Sequence, residues 1–268
     1  MKRLIALLLA AMMVLGAGSA LAEKWTCPEC GKLGNTGWNC PNCGAAKPTD
    51  NISPGDTGTS SGSTDIRVGD YVYFGRYEQD SNTDNGQERI RWLVIGVDGD
   101  KLFLLSEKGL ERGYFHVKSD GTRWSGCKMR EWLNGEFLNT AFTWSEAAAI
   151  QTTEVRDTAE TSYKKWNTAN RLSGTTKDKV FLLSYQEVTT LVGVNERLCE
   201  PTRYLKDRGI ARENYKGRIR CWYWLRTSAF RNNAGVVDQK GNLETCYIHN
   251  QYGCIRPALW VEASAVSK

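Results

Sequence analysis

Four cysteines stand in two C-P-x-C-G knuckles, Cys27/Cys30 and Cys40/Cys43, with nine residues between the pairs. Such spacing lets four thiolates converge tetrahedrally on one zinc ion, while Gly31 and Gly44 permit the turns that aim backbone amides at sulfur. Two disulfides are the competing use of the same residues in an oxidising exterior. The placement of Pro and Gly has a reason only if the knuckles wrap a metal, which favours zinc. Four sulfurs with no open position make the site structural rather than catalytic, and a ribbon this small needs its metal to fold.

Five further cysteines, Cys127, Cys199, Cys221, Cys246 and Cys254, are an odd number and cannot all pair with one another. Cys246 and Cys254 flank "YIHNQYG" and could close a loop, and Cys199 could meet Cys221 across a basic segment. A sharper alternative is a Cys-His nucleophile, or a copper or zinc ligand set, around His249. With His116 and His249 the only histidines and no orienting acid nearby in sequence, a stapled or thiol-bearing surface loop is the better reading. "DSNTDNG" spaces Asp80, Asn82 and Asp84 as a calcium loop would, but Asn85 and Arg91 occupy the positions of the EF-hand glycine and glutamate, so a solvated loop is expected. Phosphate-binding Gly-rich loops, G-x-S-x-G and H-E-x-x-H are absent, and no catalytic residue is assigned.

The elements that must position these residues follow from periodicity and turn chemistry. "IRVGDYVYFGRYEQ" is predicted to form a strand or bent strand pair, and "RIRWLVIGV" with "KLFLLS" a hairpin around Asp98-Gly99-Asp100. Met129, Trp132, Leu133, Phe137 and Leu138 fall at helical spacing, interrupted by Gly135. Capping boxes in "TWSE" and "SYQE" start helices at Thr143 and Ser184, the second behind an apolar strand "KVFLL". "PTRYLKDRG" predicts a helix from Pro201 to a Gly209 stop. From Cys221 the pattern turns to strands: "CWYWLRTS", a hairpin turning near Lys240-Gly241, and "CIRPALWVE", which should pair with an earlier strand. Strands at both ends with helices between them imply an α+β domain with segregated layers.

The chain opens "MKRLIALLLAAMMVLGAGSALA", a basic start, an apolar run from Leu4 to Leu15 and small residues before Glu23. This pattern predicts a secretory signal peptide over residues 1–22, with an uncleaved membrane anchor as the alternative, and either way an extracytoplasmic location for the chain beyond residue 22. The ribbon then occupies 24–47. "KPTDNISPGDTGTSSGSTD" is almost without large apolar side chains and cannot build a core, so residues 48–65 are read as a flexible linker before a domain spanning 66–262. The formal charge of +5 falls to +3 once Lys2 and Arg3 leave, too mild an excess to imply a polyanionic partner. The basic stretch 203–220 reads as a solvated face, and no nucleic acid partner is expected. Ten tryptophans suit either flat ligands at the surface or a core.

Taken together, "VGDYVYFGRYEQD", "IRWLVIGVDGDKLFLLS", "MREWLNGEFLNTAF", "DKVFLLSYQEV", "YWLRTS" and "IRPALW" resemble a bacterial family of unknown function found in secreted and envelope proteins. More remotely, W-L-R paired with a late R-P-A-L-W is similar to the C-type-lectin-like fold of formylglycine-generating enzymes and of retroelement variable proteins. That resemblance implies an α+β, C-type-lectin-like domain whose exposed ligand face lies between the two motifs, here Ser228 to Cys254. It makes Arg231, Asn232, Asn233, Tyr247, His249, Asn250 and Tyr252 the candidate ligand contacts, residue types that combine rigid amphipathic rings with adaptable amides. Trp224, Arg226, Arg256 and Trp260 become framework residues, each Arg bound to buried carbonyls or a carboxylate. Thr227-Ser228-Ala229 departs from the usual Ser-Pro-Gly of those relatives. The expected function is an exported, noncatalytic recognition module for a glycan, peptide or protein at the cell envelope. A cysteine-dependent oxidase and a structural part of a surface assembly are the alternatives.

Overall fold

A computed structural model of the chain describes residues 66–118, 123–156, 174–229 and 232–268. The chain divides after Ser53 into two units, and every described residue belongs to the second. Cys27, Cys30, Cys40, Cys43 and Arg231, with the signal and linker segments, lie outside the described residues.

The first strands are β1 (Tyr71–Tyr77), β2 (Glu88–Asp98), β3 (Lys101–Ser106), β4 (Lys108–Gly109) and β5 (Glu111–Arg112). The β2–β3 hairpin turns through Gly99, at φ +60°, with Asp98 facing Lys101 as the turn chemistry predicts. β1 is bent: its register with β2 shifts between Tyr73 and Arg76, where Gly75 sits at φ +68° against the Phe142 ring and leaves no room for a Cβ. The Asp80 loop is held by its own side chains. Asp80 accepts from the Asn82 amide at 2.8 Å and from Asn85 Nδ2 at 2.9 Å.

Helices α1 (Lys128–Trp132) and α2 (Leu138–Ala141) flank a π-helical stretch, Leu133–Phe137, that contains Gly135. The predicted helix is therefore continuous but widened where the glycine interrupts the pattern. α3 (Trp144–Ala149) carries the Thr143/Glu146 capping box. After β6 (Thr153–Arg156) and β7 (Thr175–Asp178), α4 (Tyr185–Leu191) carries the Ser184/Glu187 box. β8 (Glu200–Pro201) pairs with β4, so α5 (Arg203–Asp207) begins two residues later than Pro201 predicts, capped by Thr202.

"KVFLL" is buried as expected but is not a strand. It makes one bridge, Phe181 to Ala258. Several of its other backbone groups bond to side chains: Asn134 Oδ1 accepts from the amides of Lys179 and Val180, Asn134 Nδ2 donates to Val180 O, and Arg226 donates to Leu182 O, while Leu183 O accepts from the Arg226 backbone amide at 3.0 Å. With those groups satisfied, no ladder is required.

The remaining strands are β9 (Arg212–Tyr215), β10 (Arg218–Cys221), β11 (Tyr223–Ser228), β12 (Asn233–Val237), β13 (Leu243–Tyr247), β14 (Cys254–Ile255) and β15 (Ala258–Glu262). "CIRPALWVE" is thus two strands in two sheets rather than one, parted at Arg256-Pro257, because Pro offers no amide to a ladder. β15 pairs antiparallel with β3 and completes the four-stranded sheet β1-β2-β3-β15. β14 lies between β11 and β5 in the five-stranded sheet β13-β12-β11-β14-β5. The result is a mixed α+β domain made mostly of strands. Its core contains Phe74, Trp92, Phe115, Trp124, Phe137, Phe181 and Trp224, all fully buried, so these tryptophans serve packing rather than surface recognition. Among the described residues no helix is long and apolar enough to cross a membrane.

Candidate functional site

Among the described residues, two places bring together side chains that the sequence singled out. The first is a surface depression beside the end of β13. The β12–β13 hairpin sets Asn233 opposite Tyr247, and the chain then loops from Ile248 to Gly253 into β14. Ile248 is buried and its amide donates to Asn232 O at 2.9 Å, anchoring the loop. Two more backbone bonds fasten it to the segment after β5: His116 N to Ile248 O and Gly113 N to Gly253 O, both 3.1 Å. Between those two ties Tyr114 is held beside the loop, and its hydroxyl donates to Gln251 Oε1 at 3.1 Å.

Tyr114, Tyr247, His249, Asn250, Gln251 and Tyr252 line an open depression of about 350 Å³. Tyr114, Tyr247 and Tyr252 are 42%, 48% and 48% exposed, ordinary for a charged side chain and high for rings in a folded domain. The rings are fixed rather than loose. His249 stands edge-on to Tyr247 with centroids 4.8 Å apart and places Nδ1 3.1 Å from His116 O, while Arg112 lies over Tyr252 at 5.8 Å. Asn250 braces the turn, accepting from the Tyr252 amide at 2.9 Å and donating to Cys246 Sγ at 3.4 Å. Of the sequence candidates, Tyr247, His249, Asn250 and Tyr252 come together here. Asn232 and Asn233 are partly buried behind them, with their carbonyls accepting from Ile248 and Ala229. Gln251 lies in the 228–254 segment but was not singled out, and Tyr114 was not legible, since it is far from that segment in sequence and reaches the depression through the two backbone ties and its bond to Gln251.

The second place is interior. Cys199, Cys221 and Cys254 are fully buried, are not joined by disulfides, and bring their sulfurs within 4.8 Å of one another. Cys199 and Cys221 face each other in an antiparallel bridge, with the Cys221 amide donating to Cys199 O at 2.9 Å. Cys254 arrives through the parallel pairing of β14 with Tyr223. Thus Cys254 meets Cys199 and Cys221 rather than Cys246, whose sulfur is engaged by Asn250. Burial pushes the Cys221 and Cys254 thiols well above the ordinary thiol range. Burial pushes Cys199 the same way, but hydrogen bonds from the other two thiols, the Arg256 charge and the Gly109 amide favour its anion and hold it well below that range. Gly109 lies so close that a Cβ there would overlap the Cys254 sulfur.

Of the four framework candidates, Trp224 backs the first place and Arg256 adjoins the second, while Arg226 and Trp260 pack elsewhere in the domain. Trp224 is buried and its indole donates to Gly113 O at 2.9 Å, directly behind Tyr114. Arg256 donates to Ser106 O and Glu196 O, both at 2.8 Å. Arg226 donates to Leu182 O and grips both Glu187 carboxylate oxygens. Trp260 is half-buried and stacks on Phe103 at 4.8 Å.

No curated protein and no solved structure matches the chain. A family model does match, over residues 99–263, more than half the chain and nearly all of the strands and helices that build both places. The chain belongs to the family described as a domain of unknown function, DUF6273.

Proposed function

We propose that this domain is a noncatalytic recognition module whose binding face is the tyrosine-rimmed depression, taking a glycan, peptide or protein ligand at the cell envelope. The observation that carries the reading is that Tyr114, Tyr247 and Tyr252 remain about half exposed around His249 and two amide side chains while the tryptophans nearby are buried. Rigid rings offer apolar faces to sugar or peptide surfaces at little entropic cost, and Asn250, Gln251 and the imidazole supply donors and acceptors between them. An open, shallow site suits a ligand held by its surface rather than one enclosed for reaction. The C-type-lectin-like reading of the fold rests on the W-L-R and R-P-A-L-W motifs, between which the loop lies in sequence.

The test is a glycan and peptide array probed with the full chain, followed by Tyr247→Ala and Tyr252→Ala. Each substitution should weaken the best ligand about tenfold to thirtyfold, as a central ring in a small interface does, while the urea midpoint falls only slightly because each ring is about half exposed. Binding that survives the double substitution would place the interface elsewhere.

The exported ribbon is proposed to hold one structural zinc through Cys27, Cys30, Cys40 and Cys43, which protects those sulfurs from disulfide exchange. Metal analysis of the full chain should show that Cys40→Ser removes one zinc equivalent. An unchanged zinc content together with a disulfide at Cys27 or Cys30 would contradict it.

A further inference from the structure

The sulfur cluster of Cys199, Cys221 and Cys254 lies apart from the tyrosine face, and the recognition reading does not use it. Three segments converge to make it: the residue before β8, the end of β10 and the start of β14. A fourth segment, at Gly109, closes over the sulfurs so tightly that only glycine fits. A single disulfide would account for two of these thiols and leave the third buried without a role. Coordination accounts for all three. With metal–sulfur bonds of about 2.3 Å, three sulfurs around one ion stand roughly 4 Å apart, and here they already lie within 4.8 Å of one another. The donor set is soft, and thiolates select zinc or monovalent copper over hard cations. Fully buried thiolates also require compensating charge. The Arg256 guanidinium, itself buried, acts electrostatically on both Cys199 and Cys254.

We propose that Cys199, Cys221 and Cys254 form a buried three-sulfur site for one soft, thiophilic cation, Zn(II) or Cu(I), that locks β14 to β10 and β8 within the core. Charge balance with Arg256 favours the divalent ion, and three-coordination favours the monovalent one. Neither ion reacts there, because no face of the cluster opens to solvent.

The experiment uses the full chain with Cys27, Cys30, Cys40 and Cys43 all replaced by Ser, so that metal uptake reports on the interior alone. Reduced protein is titrated without oxygen, in separate arms, with zinc and with chelator-buffered Cu(I). One equivalent of at least one ion should bind, X-ray absorption should show three sulfurs and no nitrogen or carboxylate ligand, and the melting temperature should rise. Cys221→Ala and Cys254→Ala should each lower the affinity about a hundredfold or more, with far-ultraviolet circular dichroism checking that they fold. Should those variants fail to fold, the ligand count from X-ray absorption decides. No stoichiometric uptake of either ion by the folded, reduced protein overturns the proposal. So does a Cys199–Cys221 disulfide in protein purified without reductant, if reduction then yields no metal binding.

Discussion

Replacing Arg226 with alanine is expected to cost about 3–5 kcal/mol of unfolding free energy, read as a fall in the urea midpoint at unchanged slope. Arg226 is buried on β11 and is the point at which four segments meet. Its Nε donates to Arg156 O at 3.0 Å, Nη1 donates to Leu182 O at 2.7 Å, and Nη1 and Nη2 reach the two Glu187 oxygens at 2.5 and 2.8 Å. Glu187 in turn accepts from the Ser184 amide at 2.8 Å, closing the capping box of α4. Truncating the arginine therefore leaves a carboxylate and two carbonyls without their donor, and a buried acceptor deprived of its partner is costlier than the net worth of the bond. Glu187→Gln should cost less, since the amide oxygen still serves the cap. The double variant should lose less than the sum of the two single variants by about 1–3 kcal/mol, the mark of a direct pair. A loss under about 1 kcal/mol for Arg226→Ala would mean that the guanidinium is dispensable.

Asp178→Ala should be of similar severity, about 3–5 kcal/mol, measured by the same unfolding curves. The carboxylate is inaccessible to solvent and has three partners: Trp124 Nε1 at 2.8 Å, Thr176 Oγ1 at 2.7 Å and Arg130 Nε at 2.7 Å. Alanine deprives an indole, a hydroxyl and a guanidinium of that acceptor at once. Arg130 can turn to water because its side chain is 28% exposed, whereas Trp124 is fully enclosed and cannot. Asp178→Asn separates the two effects. It keeps an oxygen for Trp124 and Thr176 but removes the charge facing Arg130, so about half the alanine loss is expected. Equal losses for alanine and asparagine would show that the ion pair, not the indole bond, dominates.

Features written in a few neighbouring residues were legible in the chain. The two-residue turn at Gly99, the capping boxes at Thr143 and Ser184, and the hairpin turning at Gly241 depend on local backbone conformation and short side-chain reach, which sequence states directly. Features that depend on distant partners were not. "KVFLL" has the composition of a strand, yet Asn134 and Arg226 take its hydrogen bonds, and neither residue is near it in sequence. "CIRPALWVE" reads as one run because nothing local reveals that each half has a different sheet waiting for it. The depression was visible only as far as the segment 228–254 carries it, and Tyr114 enters through pairings of Gly113 and His116 with that segment. The sulfur cluster was hidden for the same reason: Cys254 looks matched to nearby Cys246 until β14 is seen to lie parallel to β11.

The two larger sheets are each completed by a strand late in the sequence, β14 slipping between β11 and β5 and β15 closing on β3. The opening hairpins can form early, but the five-stranded sheet waits for Ile255 and the four-stranded sheet for Glu262. Until then the edges of β3, β5 and β11 are bare, a template for strands of neighbouring molecules. Maturation is accordingly a late event governed by pairings far apart along the chain, and a product ending before Cys254 would be sticky rather than merely shorter.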